Sequence, residues 1–102
     1  MQVKQVLSKV DKLLSHPNTW CKGTEDNGRG RHCLVGAVRK VVQENTPDYL
    51  DDNIEDVLDI ISQQIPDNND YFGGNVVEFN DAPKTSFKDI KALIRRARKA
   101  VK

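Results

Sequence analysis

Apolar residues recur along the chain at three- and four-residue spacings, and four such stretches predict four amphipathic helices. The first runs from Val3 to about Ser15, and the other three have apolar faces that begin at Leu34, Ile54 and Phe87. The predicted buried positions are Val3, Val6, Leu7, Val10, Leu13, Leu14, Leu34, Val35, Val38, Val41, Val42, Ile54, Val57, Leu58, Ile61, Ile65, Phe87, Ile90, Leu93, Ile94, Ala97 and Val101. The pattern indicates a mainly α, compact single domain over residues 1–102.

The segments between these helices carry different signals. Residues 17–31 are rich in Gly, Asn and Pro, which predicts one long loop, and Trp20 is expected to anchor that loop to the core. Residues 75–80 have strand-like composition and are expected to form one short extended segment. Ser86 with Asp89 three residues later predicts a shortened capping box at the start of the fourth helix.

Charge is segregated along the chain, although the formal net charge is only +1. Residues 1–43 carry eight basic and three acidic side chains, residues 44–83 carry eleven acids and no Lys or Arg, and residues 84–102 carry eight bases and one acid. Two interpretations stay open. The segments neutralise one another across the fold, or they form faces of opposite sign that bind partners such as a host protein.

The overall balance excludes a globally basic nucleic-acid binder and a globally acidic nucleic-acid mimic. The acidic middle and the scarcity of aromatics predict only weak, salt-sensitive nucleic-acid binding by the fourth helix. No apolar run approaches the roughly 20 residues of a membrane span, and the N-terminus lacks a signal peptide's apolar region. We therefore expect a cytoplasmic protein with no membrane partner and no specific nucleic-acid partner.

Both cysteines and both histidines flank or lie in the long loop. Cys21, Cys33, His16 and His32 nominally supply four zinc ligands, but there is no C-x-x-C pair and adjacent His32 and Cys33 would diverge. We therefore predict no metal site and no cofactor. A disulfide between Cys21 and Cys33 is sterically possible, but a reducing cytoplasm disfavours it.

Cys33 has two further interpretations. It is predicted in the first turn of the second helix, where backbone N–H groups lower the pKa of a thiol, and His32, His16 or Asp81 could supply a base and its orienting group. Alternatively, Cys33 is a packed residue of the hydrophobic core, because Leu34 and Val35, which follow it, are apolar residues typical of a core. The sequence favours the packed residue, with a cysteine-dependent hydrolase as the alternative.

An anion site is predicted where Gly28-Arg29-Gly30-Arg31 runs into the second helix. Glycines let the backbone turn its N–H groups inward, and a helix N-terminus presents unpaired donors. The guanidinium groups of Arg29 and Arg31 match phosphate or carboxylate oxygens. The alternative is a solvated loop whose arginines pair with Glu25, Asp26 or the acidic segment.

Three short motifs occur in a fixed order. Trp20-Cys21-Lys22-Gly23 is followed by Cys33-Leu34-Val35-Gly36-Ala37 and then by Asn80-Asp81. In this order they resemble W-x-x-G, C-x-x-G-A and N-D of a family of small uncharacterised domains from bacteria and their phages. The resemblance implies a fold unit without an assigned activity. It also implies that Trp20, Cys33, Gly36 and the Asn80-Asp81 pair form one spatial cluster, although that pair could simply organise the turn before the fourth helix.

These observations predict a non-enzymatic binding or accessory protein of bacterial or phage origin. Its ligand is expected to be small and anionic, such as a nucleotide-like immune signal that a phage anti-defence protein sequesters. The alternative partner is a host protein that the charged faces bind and inhibit, and self-association into a homo-oligomer stays open. The candidate ligand-binding residues are Trp20, Arg29, Arg31, His32, Cys33, Asn80 and Asp81.

Overall fold

The computed structural model describes residues 2–45, 52–65 and 76–101, and within these ranges it has four long helices and one short helix. The helices are α1 (Val3–Leu13), α2 (Leu34–Asn45), α3 (Asp52–Gln63), α4 (Val76–Asp81) and α5 (Phe87–Ala100), and a 3-10 turn occupies Pro17–Thr19. Within these ranges no segment forms a strand of a sheet, and only isolated β-bridges occur. The predicted mainly α domain with four principal helices is confirmed.

The core lies where the apolar faces of the four long helices meet. α1 packs against α2, α3 and α5, while α4 packs against α2 and α3. The buried apolar side chains are Val6, Leu7, Val10, Leu14, Cys33, Leu34, Val35, Ala37, Val38, Val41, Val42, Ile54, Val57, Ile61, Val76, Phe79, Ile90, Leu93, Ile94 and Ala97. Most of the positions predicted from periodicity are therefore in the core, because a stripe at helical spacing becomes buried when four such stripes face one another.

The start of α5 follows its sequence signal. The Ser86 side chain accepts a hydrogen bond from the Asp89 backbone N–H at 3.3 Å, and the Asp89 carboxylate accepts one from the Ser86 N–H at 2.9 Å. This reciprocal pair satisfies two backbone donors that the helix itself cannot pair. The predicted capping box is confirmed.

Gly36 allows the long loop to lie directly against α2. A Cβ atom at this position would lie 2.7 Å from the carbonyl carbon of Glu25 and closer still to its oxygen. Real Cβ atoms do not approach backbone so closely, so only glycine fits here without a shift of the chain. The same Glu25 carbonyl accepts a hydrogen bond from the Cys33 N–H at 3.3 Å.

The prediction of an extended segment at residues 75–80 is wrong for residues 76–80, and residue 75 lies outside the described part. Val76–Asp81 forms α4, a helix of six residues. Its buried side chains are Val76, Phe79 and Asn80, whereas Val77 and Glu78 are exposed. That spacing is helical, and the burial of one helical face against α2 and α3 overrides the β-propensity of the two valines.

Candidate functional site

The two ends of the long loop run side by side through a short parallel backbone bridge. The His32 N–H donates to the Thr19 carbonyl at 2.9 Å, and the Cys21 N–H donates to the His32 carbonyl at 3.1 Å. Residues 21–33 therefore leave and return at the same point of the fold. This closure places Trp20 and Cys21 beside the residues that begin α2.

Asn80 on α4 joins this loop to α2. Its Oδ1 accepts from the Trp20 indole N–H at 2.7 Å and from the Leu34 backbone N–H at 3.0 Å. Its Nδ2 donates to the Cys21 carbonyl at 3.1 Å and to Asp81 Oδ1 at 2.9 Å. The side chain is fully buried, and its hydrogen-bonding groups are all engaged. We call this arrangement the Asn80 clasp.

Asp81 and the residue after it extend the clasp toward the loop. Asp81 Oδ1 also accepts from the Gly23 N–H at 2.9 Å, and Gly23 has a φ of 83°, which glycine adopts without strain. The Lys22 ammonium donates to the Ala82 carbonyl at 2.6 Å and lies 5.6 Å from the centre of the Trp20 ring. The Asn80-Asp81 pair thus holds the loop as well as marking the junction before α5.

Trp20 is the anchor of the loop, as the sequence predicted. The ring packs against the core, and its centroid lies 6.2 Å from that of Phe87 at the start of α5. With its indole N–H donated to Asn80, Trp20 presents an apolar ring to the core and a satisfied polar group to the clasp.

Cys33 lies at the N-cap of α2, one residue before the first turn in which it was predicted. Its Sγ accepts from the Gly36 N–H at 3.3 Å, and its carbonyl accepts from the Ala37 N–H at 2.8 Å. Burial raises the pKa of the Cys33 thiol, although hydrogen bonds from the Gly36 and Val35 N–H groups oppose that shift. The sulfur therefore caps the helix, and its burial favours the neutral thiol over the thiolate.

The two histidines are placed differently. His32 is buried, and its Nδ1 lies 3.9 Å from the Asp26 carboxylate, so the acid nearest its ring is Asp26 and not Asp81. His16 is exposed at the start of the 3-10 turn. Among the described residues, no group of three or more His, Cys, Asp or Glu side chains could hold a metal ion.

Arg29 and Arg31 lie on an exposed loop tip with a well-defined backbone. Asn27 Oδ1 accepts from the Arg29 N–H at 2.8 Å and from the Arg31 N–H at 3.0 Å. Gly28 and Gly30 both have positive φ, as this tight turn requires. Neither guanidinium has an ion-pair partner among the described residues.

The first N–H groups of α2 already have partners inside the protein. Leu34 donates to Asn80, while Val35 and Gly36 donate to the sulfur of Cys33. The predicted anion site assigns these donors to a ligand together with the two arginines. The structure instead brings together Trp20, His32, Cys33, Asn80 and Asp81. Arg29 and Arg31 are exposed on the loop, and Arg31 lies within electrostatic range of the Cys21 thiol.

Two open grooves border this region and share a wall. A groove of about 390 Å³ is lined by Gly23, Thr24, Glu25, Cys33, Val35, Arg39, Val77 and Asp81. A groove of about 340 Å³ is lined by Glu25, Asp26, His32, Gly36, Arg39, Lys40, Gln43 and Glu44. Arg39 Nε lies 3.4 Å from Glu25 Oε1, so an ion pair forms the shared wall. Both grooves carry mixed charge, and neither is lined by the loop-tip arginines.

Sequence reasoning missed several residues that shape the site. The roles of Lys22 and Glu25 could not be predicted from the sequence, because each contacts a segment that is distant along the chain. Asn27 carries a local signal, since an Asn before Gly-x-Gly often accepts backbone hydrogen bonds from the residues that follow it. Arg39 cannot be distinguished by sequence from any other exposed helix residue.

The exposed side of α5 is strongly basic. Lys88, Arg95, Arg96, Arg98 and Lys99 are exposed there. Asp11 of α1 binds this side by accepting from Lys91 and, at 2.7 Å, from Arg98. Burial would by itself raise the pKa of the Asp11 carboxyl, but these two cations outweigh it, and the pKa is lowered.

Together, the fold and the site define a small helical domain in which a polar cluster holds a long loop against the bundle. The chain matches the family of unknown function DUF6197 over residues 1–100 and belongs to that family. The predicted resemblance to an uncharacterised domain family is thereby confirmed, while a bacterial or phage origin stays a prediction. No curated protein and no solved structure matches the chain. No helix in the described part of the chain has the length and apolar character needed to span a membrane.

Proposed function

We propose that this protein is a non-enzymatic binding protein that holds an anionic ligand on the tip of its long loop. The observation that carries the proposal is that the polar groups of the Asn80 clasp are paired within the protein, while, within the described part of the chain, the arginines of the loop tip are not. The polar groups of Asn80 have partners inside the protein, whereas the guanidinium groups of Arg29 and Arg31 are exposed and have no ion-pair partner among the described residues. Unpaired arginines on a fixed backbone suit phosphate or carboxylate oxygens.

The backbone of the tip supports this role. Asn27 holds the N–H groups on both sides of Gly30, and Asp26 Oδ1 accepts from the Gly28 N–H at 2.7 Å. The two arginines therefore start from fixed backbone positions, and binding an anion would cost only the ordering of their side chains.

The state of the thiol supports a non-enzymatic role. A cysteine hydrolase needs a nucleophile with a lowered pKa that is ionised at neutral pH, whereas burial raises the pKa of the Cys33 thiol and its sulfur caps α2. A phage protein that withholds a nucleotide-like signal from a bacterial defence system needs affinity without chemistry. We place this protein in that class, and its source organism is part of the proposal.

Thermal unfolding with a panel of inorganic phosphate and mono-, di- and cyclic nucleotides tests the anion site. A bound anion should raise the melting temperature, and at a ligand concentration one hundred times Kd the stabilisation is about 2.7 kcal/mol. The double variant Arg29→Ala/Arg31→Ala should lose that stabilisation. The matched control is Lys9→Ala/Lys12→Ala, which removes the same charge from α1. If no anion in the panel shifts the wild type, or if the control loses the stabilisation equally, the proposal fails.

A second candidate is binding to an acidic surface of a host protein through α5. Its exposed side carries five basic side chains, and Asp89 is the one acidic residue of that helix. Arg95→Glu/Arg96→Glu should then abolish capture of a specific host protein, while Arg29→Ala/Arg31→Ala should leave capture intact. Identification of the captured protein by mass spectrometry, followed by direct binding to the purified partner at several salt concentrations, separates the two candidates.

A further inference from the structure

Cys21 and Cys33 each follow one residue of the parallel bridge at the base of the loop. The bridge pairs Trp20 with His32, so the next pair along both chain segments is Cys21 with Cys33. Neighbouring parallel segments lie about 4.8 Å apart, and a disulfide spans Cα separations of roughly 4.4–6.8 Å. Side chains one step beyond a parallel pair point to the same side. Continued by one residue, this register would place the two thiols on the same side of the bridge.

The surroundings of the two sulfurs agree with this placement. Burial raises the pKa of the Cys21 thiol, the nearby Cys33 thiol raises it further and Arg31 opposes the shift, so the two thiols lie within electrostatic range of each other. Both thiols also lie within range of the Asp81 carboxylate. They occupy one small neighbourhood although eleven residues of loop separate them in sequence.

Both sulfurs are in positions from which exchange can proceed. Cys21 is half-buried, and its thiol donates only a long hydrogen bond to the Thr24 carbonyl at 3.4 Å. Cys33 is buried, but it lines the open groove of about 390 Å³ beside Gly23 and Asp81. The more exposed thiol can therefore meet a small disulfide first, and the buried one is next to it.

We propose that Cys21 and Cys33 form a redox-active dithiol that closes into a disulfide by exchange with a low-molecular-weight disulfide such as oxidised glutathione. In the first step the Cys21 thiol loses its proton to solvent, and its sulfur attacks one sulfur of the small disulfide. The small S–S bond breaks, one thiolate leaves and takes up a proton, and Cys21 carries a mixed disulfide.

In the second step Cys33 loses its proton and attacks the sulfur of Cys21. A bond forms between the two protein sulfurs, and the second small thiol leaves and is protonated. The protein has lost two electrons and two protons, and the small disulfide has taken them up to become two thiols. In a reducing compartment the reverse reaction reopens the bond, so the disulfide is transient, as is usual for disulfides in the cytosol.

Closure would fix the base of the loop covalently. The bridge hydrogen bonds between residues 19–21 and 32 hold the base in the reduced protein, and the disulfide adds a bond one residue further along. The loop tip with Arg29 and Arg31 would then be attached to a base that cannot open. The exchange does not depend on whether that tip binds an anion.

Equilibration of the full-length protein in graded mixtures of reduced and oxidised glutathione at pH 8 tests the proposal. The reaction is quenched by acid and alkylation, and the species are counted by intact mass. We expect the wild type to lose two hydrogen atoms and carry no glutathione. Cys21→Ser should show neither an internal disulfide nor rapid modification of the buried Cys33. Cys21 holding glutathione in the wild type, with Cys33 still reduced, would overturn the proposal.

The same titration in concentrated urea supplies a control that needs no variant. If the fold brings the thiols together, the exchange equilibrium constant should be at least about tenfold larger in the native protein, which is about 30 mV for a two-electron couple. An equal or smaller constant in the native protein would show that the fold holds the thiols apart, and the proposal would be abandoned.

Discussion

Replacing Asn80 with alanine deletes four hydrogen bonds at one buried point of the structure. Three of the groups that lose their partner are the Trp20 indole N–H, the Leu34 backbone N–H and the Cys21 carbonyl. The fourth group, the Asp81 carboxylate, keeps its hydrogen bond from the Gly23 N–H, so it is not left without a partner. A buried polar group left without a partner costs about 1–3 kcal/mol. Some water will enter the space, so we expect the free energy of unfolding to fall by about 3–5 kcal/mol.

A loss of this size is a large part of the roughly 5–15 kcal/mol that stabilises a domain. Urea unfolding followed by circular dichroism measures it, and Trp20 fluorescence reports whether the indole has left its site. Asn18→Ala is the matched control, because Asn18 is exposed and such substitutions change stability by less than about 0.5 kcal/mol. A loss below about 1 kcal/mol for Asn80→Ala, with unchanged fluorescence, would refute the view that the clasp holds the loop.

Three further predictions concern other parts of the fold. Gly36→Ala, which in most helices stabilises, should here lower the free energy of unfolding by about 1–3 kcal/mol, because the new Cβ would overlap the Glu25 carbonyl; urea unfolding decides the sign. Cys33→Ser should cost about 1–2 kcal/mol in the same assay, because it places a more polar group at a buried helix cap, and an unchanged midpoint would contradict that role. The lowered pKa of Asp11 means that its stabilising effect is present above its ordinary pKa and is lost as pH falls through the folded value. Asp11→Asn should therefore be less stable than the wild type at neutral pH and approach it in acid, and a constant difference between pH 7 and pH 2 would oppose the assigned pairing with Lys91.

The long helices could be predicted because their signals are local. Residues such as Val6, Val10, Ile90 and Ile94 repeat at helical spacing, and the stripe they form is visible in the sequence. The short α4 could not be predicted in the same way. A six-residue segment is too short for periodicity to outweigh the propensity of its valines, and its helical form depends on what it packs against.

The clasp shows a different limit. The ordered motifs indicated that Trp20, Cys33, Gly36 and the Asn80-Asp81 pair lie together. In the structure Asn80 bonds Trp20, Asp81 and the Leu34 N–H, while Gly36 bonds the sulfur of Cys33, the residue before Leu34. The hydrogen bonds of Asn80 could not be predicted from the sequence, because three of its four partners lie 46 to 60 residues away. For the same reason the anion hypothesis counted the N–H groups of α2 as available, although Asn80 and Cys33 use them.

The long sequence separations within the clasp also set an order of events in folding. Trp20 and Leu34 can meet Asn80 only after the chain between them has closed, and such non-local contacts form late because the loop entropy must be overcome first. We therefore expect the loss of the Asn80 side chain to speed unfolding more than it slows folding. In the native protein, the Leu34 amide proton can exchange with solvent only when Asn80 moves away. Its exchange rate would then measure how often α4 separates from the start of α2, without any change to the sequence.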